Sequence, residues 1–345
     1  MAVTIKDVAQ AAGVSASTVS RVLNNKGVIS EETRKRIWDT MKELEYVPND
    51  VARSFANGSA RAFALVIDVV DVRAYANNFF NNTVFGIETA AHENGYNLMI
   101  TNEKSVEDEI SPVQKLVLGK KIDGIVIPIS MAGESLLEKL NDLGFPSVIL
   151  GHLDEGRTET SWVDINNTQG GALAVRHLIK KGYRNIAFLY GNDKEQFNQD
   201  RLTGYSRGVS AGGMEVKQEL ICHGLSGVED SRECVLGLLR QEDRPDAVVC
   251  GDDRLALGAL RAAKAAGVAV PRDFGIVSFD NTPLTELADI PITSLDVDTF
   301  ELGRQAAEIL IQQIEEPEAS FRQVLLSTKI IGRASTERES GEEKM

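Results

Sequence analysis

Acidic side chains stand at or near the ends of three short apolar runs in this chain. Asp68 falls within Phe63–Val70, Asp252-Asp253 come one residue after Ala247–Cys250, and Asp280-Asn281 follow Gly275–Phe279 directly. An ionised carboxylate accepts hydrogen bonds and donates none. No metal motif, phosphate-cradling glycine fingerprint or matching cation accompanies these acids. Such a set suits a ligand rich in hydroxyl donors, as a sugar is. The competing role is capping: Asp252 and Asp280 sit where a following helix needs an oxygen, and one oxygen can do both jobs. Paired acids alone do not make a hydrolase, and neither a G-x-S-x-G elbow nor a P-loop occurs, so no enzymatic activity and no cofactor are expected. The histidines (His92, His152, His177, His223) are far apart with no metal spacing, which predicts no metal site. Cys222, Cys234 and Cys250 form no C-x-x-C pair and read as buried small hydrophobes in a reducing compartment.

Ligands of open parallel sheets bind beyond the carboxyl ends of the strands, so the elements around these acids decide what they mean. Apolar runs at Phe63–Val70, Ile122–Ile129, Ser147–Gly151, Ile186–Tyr190, Ala247–Cys250 and Gly275–Phe279 are separated by helical patterns. The helices fall at Val84–Asn94, Glu134–Leu143, Thr168–Lys181, Arg254–Gly267 and Phe300–Ile314. Strands buried on both faces between helices predict doubly wound parallel α/β sheets. The units are too many for one compact layer, so two lobes are expected, with Gly151 and Gly191 joining the acids at strand ends. The 345 residues, 43% hydrophobic and 26% charged, match a soluble globular chain of two or three domains. No apolar stretch is long enough to span a membrane, and the N-terminus lacks a signal-peptide core. A cytoplasmic location with no membrane partner is expected.

The net charge of −14 divides unevenly: residues 1–60 are nearly balanced, and the acidic excess lies beyond them. An acidic body repels nucleic acid and leaves such contact to a small projecting element. In the first segment Thr4 and Asp7 stand as reciprocal caps, and Ile5, Val8, Ala9 and Ala12 form one apolar stripe. Gly13-Val14 break it, and Ser15 caps a second helix whose Val19, Val22 and Leu23 face inward. Ser17, Ser20, Arg21 and Asn24 give that helix an outer face made of hydrogen-bonding groups. A third helix starts at Ser30 and runs through Leu44, packing through Ile37, Met41 and Leu44. This is helix-turn-helix geometry; a plain all-α three-helix bundle is the alternative. The Arg34-Lys35-Arg36 cluster either touches phosphate or forms a solvated face.

Thr4-Ile5-Lys6-Asp7-Val8-Ala9 followed by Gly13-Val14-Ser15-Ala16-Ser17-Thr18-Val19-Ser20-Arg21-Val22-Leu23-Asn24 resembles the N-terminus of the lactose/galactose repressor family almost position for position. Tyr46-Val47-Pro48-Asn49-Asp50-Val51-Ala52-Arg53-Ser54 is similar to that family's linker, and the resemblance continues over nearly the whole chain. It implies a transcriptional repressor with a helix-turn-helix domain at 1–48 and a linker at 49–60 that folds into a hinge helix on operator DNA. It further implies a two-lobed periplasmic-binding-protein-like core at 61–332, for effector binding and dimerisation, and a polar tail at 333–345. One lobe would span about 61–161 and 292–321, the other about 162–291 and 322–332. Carried over by residue, Ala16, Ser17 and Arg21 match positions that read base edges, where a guanidinium can grip guanine through two hydrogen bonds. Ser15, Thr18 and Asn24 match phosphate-contacting positions, and Thr4, Asn49 and Ala52 complete the implied DNA-contacting set. Phe55 stands where most relatives carry a leucine that wedges into the minor groove; it either wedges too or packs against its dimer mate.

Asn78-Phe79-Phe80, Asp200-Arg201-Leu202-x-Gly204-Tyr205, Gly251-Asp252-Asp253-x-x-Ala256-x-Gly258 and Ser278-Phe279-Asp280-Asn281 resemble the family's ligand-cleft segments. By that resemblance Arg201 clamps the effector, Asp280 binds a hydroxyl, and Asp252 replaces the usual asparagine, gaining acceptor and losing donor capacity. Phe79, Trp162, Phe197 and Phe279 either offer apolar faces to sugar C–H surfaces or belong to the core. Trp162-Val163-Asp164-x-Asn166-Asn167 and Asp298-Thr299-Phe300-Glu301-Leu302-Gly303 look like the maltose-type repressors of Gram-positive bacteria, although Asn166 is usually aspartate there. That implies a glucose-containing di- or oligosaccharide, such as maltose or a maltooligosaccharide, and carbohydrate-utilisation genes. The implied partners are pseudo-palindromic operator DNA, a sugar that allosterically changes operator affinity, and a second copy forming a homodimer. The rivals are a family regulator controlled by a protein corepressor or a non-sugar effector, and a sugar-binding transport receptor.

Overall fold

The computed structural model describes residues 3–23, 27–47, 58–67, 78–103, 110–153 and 158–338, and divides into a unit ending at Arg61 and a larger one starting at Ala62. In the smaller unit α1 (Ile5–Ala11), α2 (Ala16–Leu23) and α3 (Glu31–Glu43) pack around Val8, Ala9, Ala12, Val19, Val22, Ile37 and Met41. The caps read from the sequence are made. Thr4 donates through N–H and Oγ1 to Asp7 Oδ2 at 2.8 and 2.7 Å, and the Thr18 and Thr33 amides donate to Ser15 Oγ and Ser30 Oγ at 3.1 and 3.3 Å. The Thr18 and Thr33 amides are among those that a first helical turn leaves without intrahelical partners.

Among its described residues the larger unit holds two six-stranded sheets. The first contains β1 (Ala62–Val66), β2 (Asn97–Thr101), β3 (Gly124–Pro128), β4 (Ser147–Leu150), β5 (Ser161–Ile165) and β11 (Gln323–Leu326). The second contains β6 (Ile186–Leu189), β7 (Ile221–Cys222), β8 (Ala247–Cys250), β9 (Gly275–Phe279), β10 (Thr293–Asp296) and β12 (Lys329–Ile331). Their spatial orders, β2-β1-β3-β4-β5-β11 and β7-β6-β8-β9-β10-β12, repeat one doubly wound pattern. The pairs are parallel except β10 with β12. On the first sheet α4 (Asn78–Glu93) pairs with α12 (Thr299–Glu315), between them α5 (Pro112–Leu118) and α6 (Glu134–Asp142) in the chain. On the second, α7 (Asn167–Lys180) pairs with α8 (Gln196–Ala211) and α9 (Val228–Leu239) with α10 (Asp253–Ala266), followed by the short α11 (Pro283–Glu286).

The lobe boundaries differ from the expected ones. β5 pairs with β4 and stays in the first lobe, β10 pairs with β9 and stays in the second, and β11 returns to pair with β5. The chain therefore changes lobe after Ile165, after Asp296 and after Leu326; polar residues in these strands blur the apolar pattern by which a strand is read from sequence. Residues 333–338 are not a free polar tail. Ser335 and Thr336 are fully buried, with Ser335 Oγ donating to Ile276 O at 2.6 Å and Thr336 Oγ1 2.7 Å from Thr293 Oγ1. The cysteine reading is also corrected: Cys222 and Cys234 form a disulfide between the end of β7 and α9, while Cys250 is a buried thiol. Among the described residues no helix is long and apolar enough to cross a membrane.

Candidate functional site

Two helices in very close contact set the position of Arg201. A Cβ on Gly171 of α7 would lie 2.3 Å from the Arg201 carbonyl oxygen, and one on Gly204 of α8 only 2.1 Å from that of Thr168. Only glycine lets these backbones meet. Arg201 is 3% exposed, and each of its guanidinium nitrogens meets a protein acceptor. Its Nε donates to Asn167 Oδ1 at 2.9 Å, Nη1 to the Gly251 carbonyl, and Nη2 to Asp280 Oδ1 at 3.3 Å. The guanidinium carbon also lies 4.2 Å from the Phe279 ring centroid and 5.1 Å from that of Phe197, within cation–π range. Asp280 meets it because β9 ends in two left-handed residues, Asp280 at φ +86 and Asn281 at φ +50. Such angles are uncommon outside glycine. Here the turn is held by Asn281 N donating to Ser294 Oγ at 3.1 Å and Arg333 Nη2 donating to Asn281 Oδ1 at 2.8 Å.

Asp252 does cap α10: its Oδ1 accepts the Leu255 amide at 2.8 Å while Oδ2 pairs with Arg254 at 3.1 Å. Its neighbour Asp253 is buried, accepting from Ser278 Oγ and, at 2.7 Å, from the Thr282 amide. Burial first, and then the charge of Asp280, push the Asp253 carboxyl up to about 7. Burial likewise raises Asp280, with Asp252 adding to the shift and the Arg201 guanidinium opposing it. The strand ends of the second lobe thus hold more buried acid than buried base.

A second cluster lies across from this one. β4 ends at Gly151, whose φ of +105 and position leave no room for a side chain, since a Cβ would lie 2.6 Å from Ile129 Cγ2. The turn brings His152 Nδ1 to 2.8 Å from Asp164 Oδ2 on β5 and 3.6 Å from Asp200 Oδ2 on α8, with its ring 5.9 Å from that of Trp162. His152 and Asp164 belong to the first lobe, Asp200 to the second. Burial raises the Asp200 carboxyl, a hydrogen bond from Gln196 and the charge of His152 oppose the rise, and Asp164 adds to it.

Among the residues expected to bind an effector, the structure gathers Phe197, Arg201, Phe279 and Asp280 into one cluster, with Asp252 next to the carbonyl that Arg201 holds. Phe279 is completely buried, so it stacks under Arg201 and offers no face to a ligand, whereas Phe197 is 39% exposed and Trp162 is half-buried. On α2, Ser17 and Arg21 are exposed and Ala16 and Thr18 half-buried; Thr4 and Ser15 are exposed as well. Ser15 Oγ lies 2.7 Å from Ser17 Oγ and 2.9 Å from Thr18 Oγ1. Asn24, Asn49, Ala52, Phe55 and the side chain of Phe79 lie outside the described residues. Sequence reasoning passes over His152, Asp164, Asn167 and Asp200 as participants, while Asp253 is among the acids it places at strand ends. Asp164, Asn167 and Asp200 lie within the motifs that carry the resemblance, but no spacing rule links His152 to its partners.

Residues 4–49 match the family model described as bacterial regulatory proteins, lacI family, and residues 175–336 match that of a periplasmic binding protein-like domain. Over 321 residues the chain is 30% identical to the HTH-type transcriptional repressor PurR of Actinobacillus pleuropneumoniae serotype 3 (strain JL03), covering 92% of this chain and 93% of that one. The chain belongs to the LacI family. Its identity to the PurR repressor of Vibrio campbellii (strain ATCC BAA-1116) is also 30%, over 96% of this chain and 97% of the relative. A solved complex of the transcriptional regulator CelR with cellobiose superposes with a TM-score of 0.70 at 30% identity, covering 96% of this chain and 99% of that one. The lac repressor dimer bound to operator and the anti-inducer ONPF shares the fold, with a TM-score of 0.81 at 24% identity over 97% of this chain and 99% of that one. This LacI-family chain is a DNA-binding transcriptional repressor and not an enzyme, with a helix-turn-helix domain and a two-sheet periplasmic-binding-like core.

Proposed function

We propose that this LacI-family repressor binds a glucose-containing di- or oligosaccharide between its lobes, and that binding changes its affinity for operators of carbohydrate-utilisation genes. The observation that carries this reading is the pairing of an Arg201 fork with the Asp280 carboxylate beside the exposed Phe197 ring. Guanidinium donors and carboxylate acceptors suit adjacent hydroxyls, and an aromatic face suits a sugar's C–H surface. The 30% identity to a regulator solved with cellobiose supports the same ligand class. Asp252 tunes which sugar is accepted. On the DNA side Ala16, Ser17 and Arg21 read bases, with Thr4, Ser15 and Thr18 on the backbone, in a homodimer acting in the cytoplasm where its operator lies.

A planar nucleobase is the second reading, since Trp162 and Phe197 present ring faces and the PurR repressors are equally similar. Calorimetric titration of the full chain with maltose, cellobiose, maltotriose and free nucleobases decides between them. Saturable heat with a disaccharide, lost in Asp280→Asn, is the expected outcome; saturation by a nucleobase alone would overturn the sugar reading.

A further inference from the structure

We infer that His152, Asp164 and Asp200 form a binding site for a divalent transition-metal ion that clasps the two lobes. One ligand atom from each residue lies within 4.8 Å of the others. The individual separations from His152 Nδ1 are 2.8 Å to Asp164 Oδ2 and 3.6 Å to Asp200 Oδ2. Zinc bonds of roughly 2.0–2.2 Å to nitrogen and oxygen place neighbouring tetrahedral ligand atoms about 3.3 Å apart, between those two values. One imidazole nitrogen and two carboxylate oxygens, with a fourth position open, are the donors of a zinc-like ion rather than of calcium, which takes six or more oxygens.

The carboxylates are also oriented for it. Asp164 Oδ1 accepts the Ile165 amide at 2.7 Å and Asp200 Oδ1 accepts Gln196 Nε2 at 3.2 Å, so each acid is pinned by one oxygen and turns the other toward His152. Outer hydrogen bonds of this kind are how proteins fix metal ligands. A neutral imidazole with two ionised carboxylates carries a formal charge of −2, which a dication balances. His152 and Asp164 project from the first sheet and Asp200 from α8 of the second lobe, so the ion ties together parts that any opening of the cleft must separate. This inference does not depend on the identity of the organic effector.

The test strips the full chain with a chelator, titrates it with cobalt(II) followed by visible d–d absorption, and with zinc and calcium followed by calorimetry. One equivalent of cobalt or zinc per chain is expected, with calcium much weaker. Asp164→Asn and Asp200→Asn should each weaken zinc by at least about tenfold, with helical circular dichroism retained. His152→Ala is a third variant that leaves both acids in place. Absence of stoichiometric binding, or binding of wild-type strength in these variants, would overturn the site and leave a proton as the link between the three residues.

Discussion

Arg201 is buried and held by three protein acceptors, and the proposed function also gives it the effector, so Arg201→Ala should change both stability and sugar response. Loss of its bonds to Asn167, Gly251 and Asp280 leaves buried acceptors unmatched, and should lower stability by about 2–4 kcal/mol. Chemical denaturation reads that loss, while operator affinity of the folded variant without sugar stays near wild type and its sugar response disappears. Asp253 gives a second test. Its carboxyl is raised from 3.8 in the unfolded reference to about 7 in the fold. Across that window the native state keeps a proton that the unfolded chain has released, so this group's contribution is fully present at low pH and is lost as pH rises. Asp280→Asn removes a charge that raises Asp253, and the decline of melting temperature over that window should become shallower. An unchanged slope would mean that the two carboxyls do not interact.

Helix contacts position the site, and their glycines are the sensitive points. Gly204→Ala puts a methyl 2.1 Å from the Thr168 carbonyl, which forces α7 and α8 apart. The expected cost is about 1–3 kcal/mol, with effector affinity falling because Arg201 and Asp200 ride on α8; parallel melts and titrations check both. In the smaller unit, Arg21→Ala should cost about 1–3 kcal/mol of specific operator affinity and relax one base position per half-site, read by selection from random DNA. The elements themselves show what sequence carries. Fully apolar strands such as β1 and β8, and capped helices such as α1 and α3, follow from periodicity and side-chain chemistry alone. β5, with Asp164 in its middle, and β10, rich in Thr, Ser and Asp, do not. Their burial depends on neighbours that pair with them, and that is why the lobe crossings were misplaced by a few residues. The His152 cluster was hidden for the same reason: its members come from β4, β5 and α8, and only the fold brings them together.

For the molecule as a whole, the acidic excess lies outside the nearly neutral helix-turn-helix segment, which favours DNA contact through that segment, and the proposed function gives the remaining residues the task of setting when contact occurs. Such control is a coupling between two binding events, and it must be equal in both directions. The decisive measurement is therefore reciprocal: operator affinity of the full chain with and without saturating disaccharide, and disaccharide affinity with and without saturating operator. Both pairs should change by the same factor, and Asp280→Asn should remove the sugar-dependent change. A sugar affinity that operator leaves untouched, while sugar binds at the cleft, would contradict allosteric control by that ligand.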